Sequence, residues 1–466
     1  MRRPRRLETP AAEPPTSGQP RSRLRRPTGD LWSHPDFLKL WTGQTISEFG
    51  SQISQLAIPL LAAVSLDASP FEFSLLGVLG FLPFILFALP AGVWVDRLRR
   101  RQILIWGDAA RAVLIALIPI LWALDALQMW HLLVLQFVIG VFTVFFDVAY
   151  QSYLPALIAR EHLVDGNSKL QLTVSVSQVA GPSAAGGLIA AFTAPYAILV
   201  DAVSFLISTA FMVRMRHRES PPVHTADEPR PKMWPQVKEG LHWVVGHPWL
   251  RWIATCTGSS NFFSSMLFAI ALLYMVRVLG LSAYEIGFVF AVGSAGSIVG
   301  ALATNRLNKR IGVGPTIVAT AIAFSVSALA YPLAPTSFPL PVLMLGQAGF
   351  GFGAVAYNIT QVSLRQAITP ERLQGRMNAA MRWIVWGTIP LGSLAGGAFA
   401  TWWSLKTALW IAAIGELFTF LPVALTSIRK IGPMPEPVVE PTPAQAELEG
   451  GLVEGVPLPT PSAADA

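Results

Sequence analysis

Six ionisable residues, Glu48, Asp108, Arg111, Asp147, Asp201 and Glu416, stand inside stretches of almost unbroken apolar sequence. A charge in such surroundings is costly unless it is paired or hydrated, so each is a candidate for chemistry that needs it there. Two kinds of chemistry are on offer. A carboxyl at the edge of a poorly hydrated site can take up and release a proton near neutral pH. Glu48 suits that role, because Gln44, Ser51 and Gln55 recur beside it at helical spacing, as a polar stripe along a cavity would. The plainer reading of the stripe is a polar face touching neighbouring helices. Reversible ion pairing is the second kind. Asp108 and Arg111 are three residues apart and meet on one helical face. Asp147 can approach from the next helix, and Asp96, Arg97 and Arg101 sit in a charged run just upstream. Together these read as a gating cluster that holds one end of a path shut in one state and breaks in the other. An interior salt bridge that fixes helix packing explains the core of it more simply. For Asp201 and Glu416, end capping or a hydrogen bond to a neighbouring helix suffices.

Covalent and metal chemistry are poorly served. The chain has one cysteine, Cys256, and its histidines fall at predicted helix ends or in loops without ligand spacing. No catalytic residue, metal site or cofactor is expected. GFGFGA at 349–354 alternates glycines but lies in an apolar run with no strand before it, and no G-x-x-x-x-G-K-S/T occurs, so no nucleotide loop is expected. A membrane-embedded enzyme would need a nucleophile, a base or a metal at one depth, and nothing in the apolar stretches supplies them.

Composition dictates the elements that hold these residues. Of 466 residues 53% are hydrophobic and 13% charged, with a mean hydropathy of +0.50, whereas a soluble domain is about a quarter charged. Lipid is the solvent for most of the chain. A helix satisfies its own backbone hydrogen bonds in hydrocarbon and needs roughly 20 apolar residues to cross it. Twelve such crossings can be laid out, over 37–63, 73–95, 103–124, 131–154, 168–192, 196–213, 251–276, 284–304, 314–333, 338–364, 376–401 and 406–427. With a rise of ~1.5 Å per residue, Glu48 lies about 18 Å from the inner face, and Asp108, Arg111 and Asp147 about 9 to 14 Å from it. Lysine and arginine favour the cytoplasmic side. Of the 34 present, only Arg277 and Lys406 fall on the opposite face and Arg111 within a span. Both termini are therefore expected in the cytoplasm, on either end of a multi-pass protein of the inner (cytoplasmic) membrane. The net charge of +7 belongs to loops and tails, and no nucleic acid is expected as a partner.

The first 26 residues carry eight arginines among prolines, serines and glycines, and from Gly432 the chain has prolines and acids but no lysine or arginine. Neither composition can bury enough apolar area to fold. The expected layout is a disordered basic tail over 1–35, a six-helix bundle over 36–213 and a cytoplasmic linker over 214–249. A second six-helix bundle over 250–428 and a disordered acidic, proline-rich tail over 429–466 follow. In the linker, PQVKEGLHWVVGH puts Val237, Leu241 and Val244 on one helical face, as in a short helix lying on a membrane surface. The bundles repeat one another. AREHLVDG at 159–166 recurs as TPERLQG at 369–375, PSAAGGLIA at 182–190 as GSLAGGAFA at 392–400, DRLRRR at 96–101 as NRLNKR at 305–310, and DVAY at 147–150 as AVAY at 354–357. Duplication of a six-span unit is a pattern of secondary transporters, with the substrate path between the halves.

GVWVDRLRRR at 92–101 resembles the G-x-x-x-D-R-x-x-R-R loop signature of the major facilitator superfamily, at its expected place after the second crossing. GPSAAGG at 181–187 looks like the Gly-Pro-rich motif in the fifth helix of the family's antiporters. WTGQTISEFGSQIS, FFDVAYQSYLP and AILVDAVSFLIS are similar to the branch containing enterobactin exporters and macrolide efflux proteins. Ala185 stands where many members have glycine, and the fourth crossing lacks the arginine used by drug antiporters of other branches.

The resemblance, which covers about 35–430, implies an all-α membrane protein of twelve helices in two pseudo-symmetric six-helix halves that rock about a central cavity. It implies export of a bulky, partly apolar small molecule, such as a siderophore, macrolide or drug, in exchange for protons. Substrate, protons and the lipid bilayer would be its partners, and a single bundle with its own cavity needs no second copy. An uptake transporter or uniporter would share the fold, and a cavity that binds without conducting would make a sensor. Gln44, Ser51, Gln55, Phe146, Asn261, Tyr357, Asn358 and Arg382 are the expected cavity residues. Gly181, Pro182, Gly186 and Gly187 are expected to let helices pack closely, with a kink at Pro182 sealing the cavity against leak.

Overall fold

The computed structural model describes residues 31–95, 98–159, 162–216 and 233–436. Asp96 and Arg97, the 217–232 stretch of the linker and most of both expected tails lie outside these residues. What is described is helical almost throughout. The first part runs α1 (Pro35–Val64), α2 (Pro70–Val95), α3 (Arg100–Ala123), α4 (Met129–Leu157), α5 (Leu163–Phe192) and α6 (Ala194–Val213). After α7 (Met233–Gly246) come α8 (Leu250–Arg277), α9 (Ala283–Ile311), α10 (Val313–Ser327), α11 (Ala330–Leu333), α12 (Pro339–Ala367), α13 (Glu371–Trp386), α14 (Thr388–Trp402), α15 (Leu405–Leu417) and α16 (Leu421–Ala424).

Among the described residues, ten spans are long and apolar enough to cross a membrane. The helices α1 and α5, 30 residues each, occupy the first and fifth expected crossings and are more polar along their length. Three expected crossings are broken in two. The ninth is α10 with α11, the eleventh α13 with α14, and the twelfth α15 with α16. Proline explains two of the breaks: Pro332 and Pro422 have no N–H to donate to the preceding turn. At Gly387 the third break is held from the side, since Asn261 Nδ2 of α8 donates to the Val385 carbonyl at 3.0 Å and Thr388 Oγ1 donates to the Gly258 carbonyl at 3.0 Å.

Three apolar clusters organise the packing. One draws on both halves: it joins the C-terminal end of α1 (Ala57 to Ala63), Phe73 and Leu76 of α2 and Ile118 of α3 to the run from Met266 to Met275 in α8 and Ala408 to Ala413 in α15. All of these lie at the end away from the chain termini. At the terminal end each half keeps its own cluster, around Phe37, Leu40, Leu104, Tyr153 and Met212 in the first half and Leu250, Ile317, Leu364, Met377 and Val423 in the second. An exposed ion pair also bridges the far end, where Arg277 Nη2 donates to Asp67 Oδ1 at 2.7 Å and to the Ala63 carbonyl at 3.1 Å.

Pseudo-symmetry appears in how the halves meet. Helix α5 packs on α9, and its counterpart in the repeat, α14, packs on α2. Small residues permit both contacts, as expected where packing rather than hydrophobic transfer drives association in lipid. A methyl group at Gly287 would sit 2.3 Å from the Pro182 carbonyl, one at Gly186 2.6 Å from the Ala283 carbonyl, and one at Gly397 2.5 Å from Ser74 Oγ. Gly181 meets Gln52 of α1 within its own half, whereas Gly187 faces open space and brings no helix closer.

The linker contains α7, in which Leu241 and Val244 do not share one environment. Helix α7 packs on α13: Gly240 approaches the Arg376 carbonyl too closely for any side chain, and Val244 is fully buried while Leu241 is exposed. Glu239 pairs with Arg376 and, at 3.6 Å, with Arg372. Both ends of the described chain also extend the order: Leu31–Ser33 is a 3-10 turn with Leu31 buried, and Val313 and Gly314 N–H groups donate to the Gly432 and Ile431 carbonyls at 2.7 and 2.9 Å.

Candidate functional site

A cavity of about 890 Å³ lies between the halves, a volume typical of small-molecule sites. Leu56, Ile58, Phe73, Leu76 and Leu272 of the shared cluster line it, so that cluster forms its far wall. From the first half, α1 contributes Ser51, Gln52, Ser54 and Gln55, and Arg111, Gln136, Gln178 and Asp201 come from α3, α4, α5 and α6. The second half contributes Phe268, Phe290 and Phe350 with Ser265, Ser294, Gln347 and other small polar residues. Among the described lining residues, both charges belong to the first half.

Asp201 is buried in α6 and accepts hydrogen bonds from the Ser54 hydroxyl of α1 and, at 3.1 Å, from Ser204 Oγ. Gly50 makes this possible, because a methyl group there would stand 2.6 Å from the Asp201 carboxylate. The second half repeats the arrangement without a cavity contact: Glu416 of α15, fully buried, accepts from Ser260 Oγ of α8 at 2.6 Å. Both acids were visible in the sequence as ionisable residues within spans. Their pairing with a serine on the first helix of each half was not, because two serines among many carry no such signal.

Asp108 and Arg111 form the expected ion pair on α3. Arg111 Nε donates to the Gly107 carbonyl at 3.4 Å, and its guanidinium lies between the rings of Phe146 and Phe205, 4.1 and 4.4 Å from their centroids. Phe146 is thus a stacking partner of Arg111 and not a cavity wall. Asp147, half-buried on α4, is within electrostatic range of both Arg111 and Glu48 but has no ion pair with Arg111 among the described residues. Arg101 turns away from this group. Its Nη2 donates to the carbonyls of Met212, Val213 and Met215 at 3.2, 2.8 and 3.0 Å, where a cation complements the partial negative charge of the α6 C-terminus.

Glu48 sits one turn before the cavity-lining part of α1. Its Oε1 accepts from Ser177 Oγ of α5 at 3.3 Å and from Gln52 Nε2 at 3.4 Å. Of the expected cavity residues, Ser51 and Gln55 line it and Gln44 does not. Asn261 is spent on the α13–α14 break, and Tyr357 is core, bonded to Thr257 at 2.9 Å and packed on Phe324. Asn358 is exposed and accepts from Gln361 at 3.0 Å, and Arg382 lies 4.8 Å from the centroid of the Trp386 ring. None of these four touches the cavity. Pro182 does, beside Gln178, although its helix runs on through it unbroken. The glutamines Gln52, Gln136, Gln178 and Gln347 were not singled out in the sequence, although an amide inside an apolar span is itself a signal.

Two pseudo-symmetric helical halves around a central cavity of mixed polar and apolar lining define a polytopic membrane transporter of small molecules. The family model described as Major Facilitator Superfamily matches residues 40–387 and 253–454, and the chain belongs to that superfamily. It is 26% identical over 398 residues to the multidrug efflux pump Tap of Mycolicibacterium fortuitum, covering 80% of this chain and 92% of that one. It is 24% identical over 426 residues to the enterobactin exporter EntS of Citrobacter koseri, covering 87% and 96%. Among solved structures, a bacterial homologue of the iron transporter ferroportin in an inward-facing state superposes with a TM-score of 0.62 at 16% identity, covering 84% of this chain and 98% of that one.

Proposed function

We propose that the protein is a secondary active exporter of a bulky, partly apolar small molecule, driven by proton antiport across the cytoplasmic membrane. The observation that carries this is the cavity itself, walled at one end by an apolar cluster shared between the halves and flanked at the other by two separate ones. With both termini taken as cytoplasmic, this reading makes the cavity inward-open, and export is then the separation of the shared cluster as the terminal ends close. The efflux activities named for Tap and EntS support the direction.

Glu48 carries the proton in this reading, one turn before the cavity-lining part of α1 and bonded to Ser177 and Gln52. Asp108 and Arg111 stay paired as a packing element of the first half, and the two halves, 36–213 and 250–428, move as units about the linker. The two bundles of one chain enclose the cavity between them, so a monomer suffices.

Proteoliposomes containing the purified chain test the reading directly. A pH step, acid on the side that receives substrate, is expected to drive substrate against its gradient, and a protonophore to stop it. Flux indifferent to the protonophore would make the protein a uniporter, and a strain lacking the gene that holds less labelled substrate than its parent would reverse the direction. Binding without flux under any gradient would make it a sensor.

A further inference from the structure

We infer that the cavity selects an amphiphile with one ammonium head, taking Asp201 as its counter-ion and the phenylalanines of the second half as the bed for its apolar body. This rests on the transporter reading of the cavity and adds the substrate class. The inference follows from the charges. Arg111 has its own carboxylate in Asp108 and is enclosed by two aromatic rings, with Nε and Nη2 both bonded inward. Its charge is answered inside the protein. Asp201 receives only the neutral hydroxyls of Ser54 and Ser204, and no ion pair to it forms among the described residues although Arg111 lies within electrostatic range. A carboxylate facing a cavity with hydroxyl donors on one side is completed by a cation on the other, and hydrogen bonds to charged groups are the strong ones.

The opposite wall fixes the rest of the ligand. Phe268 and Phe350 meet edge to face with centroids 4.9 Å apart, and Phe290 lines the same half. No charged residue of the second half lines the cavity among the described residues, so a second charged group on the ligand would find no partner there. A metal ion is a poorer fit. One carboxylate and two serines are not a ligand set, and among the described residues no group of three or more His, Cys, Asp or Glu is placed to hold one.

Three fluorescent probes that share one aromatic body test this with the full chain in nanodiscs: dansylcadaverine, its neutral N-acetyl derivative, and the dansyl derivative of aminohexanoic acid. The wild type is expected to bind the amine about tenfold or more tighter than the neutral probe, and the anion most weakly, as a charge-assisted hydrogen bond predicts. Asp201→Asn is expected to equalise the amine and neutral probes without weakening the neutral one. Asp201→Glu should keep the preference, which separates a lost counter-ion from a misfolded helix. Phe268→Ala should weaken all three by a similar factor. Equal binding of amine and neutral probe by the wild type, no binding of the amine, a preference that survives Asp201→Asn, or displacement of the amine by manganese would each overturn the inference. Binding needs no turnover, so the charge preference can hold while proteoliposome flux is absent, in which case the export reading fails and this one stands. Flux without a charge preference is the reverse outcome.

Discussion

Glu48 accepts two long hydrogen bonds, from Gln52 and Ser177, and an amide in its place can keep both contacts. Glu48→Gln is therefore expected to leave expression and folding intact while abolishing pH-driven export in proteoliposomes. Transport at the wild-type rate would remove Glu48 from the mechanism. Arg101 makes the opposite case, a charge bonded to the end of a neighbouring helix. Removing its bonds to the α6 carbonyls by Arg101→Ala should cost about 1–2 kcal/mol, read as a lower melting temperature in detergent with substrate affinity unchanged. The Asp108 and Arg111 pair was legible at this scale because spacing along one helix determines which residues meet. Phe146 and Tyr357 were not, since the direction of a ring depends on neighbouring helices that a single sequence does not place.

Backbone contacts make stronger predictions than side chains at the level of elements. Gly287→Ala would force α5 and α9 apart at the Pro182 carbonyl, and export is expected to fall by about an order of magnitude or more, as an overpacked interface costing ~1–3 kcal/mol would require. Gly187→Ala, with open space around it, should leave flux unchanged in the same assay. His247 offers a pH test at the start of α8, outside the spanning helices. Its Nδ1 accepts from the Trp249 N–H at 3.2 Å, and burial pushes its pKa down to about 4. The unfolded chain binds the proton first, so stability is full above about 6.5 and falls as pH drops toward 4, by at most ~3 kcal/mol. His247→Gln should flatten melting temperature across that window; an unchanged slope would mean that other groups set it. The amphipathic pattern of the linker gave away the existence of α7. Its partner was hidden, because the same pattern suits a membrane surface or another helix equally well.

For the whole molecule, the succession of membrane-length helices was legible because hydrocarbon imposes one length on every span, and the repeat at offsets of about 210 residues announced the halves. Which end the halves share could not be read, since apolar residues occupy both ends of every helix. The ion pair at the shared end contributes little: Asp67 is 92% exposed, and such pairs are worth about 0–1 kcal/mol. Arg277→Ala should thus shift the balance between open states by no more than about fivefold, as judged by labelling of single cysteines on either face. A collapse of the closed end in that variant would show that the charge, and not the apolar cluster, holds it. Parting that cluster wets aliphatic surface, and wetting of that kind raises heat capacity. The switch between faces should then be temperature-curved: warming and cooling away from an optimum will each penalise one orientation, so a plot of log turnover against inverse temperature will bend without any change in the lipid.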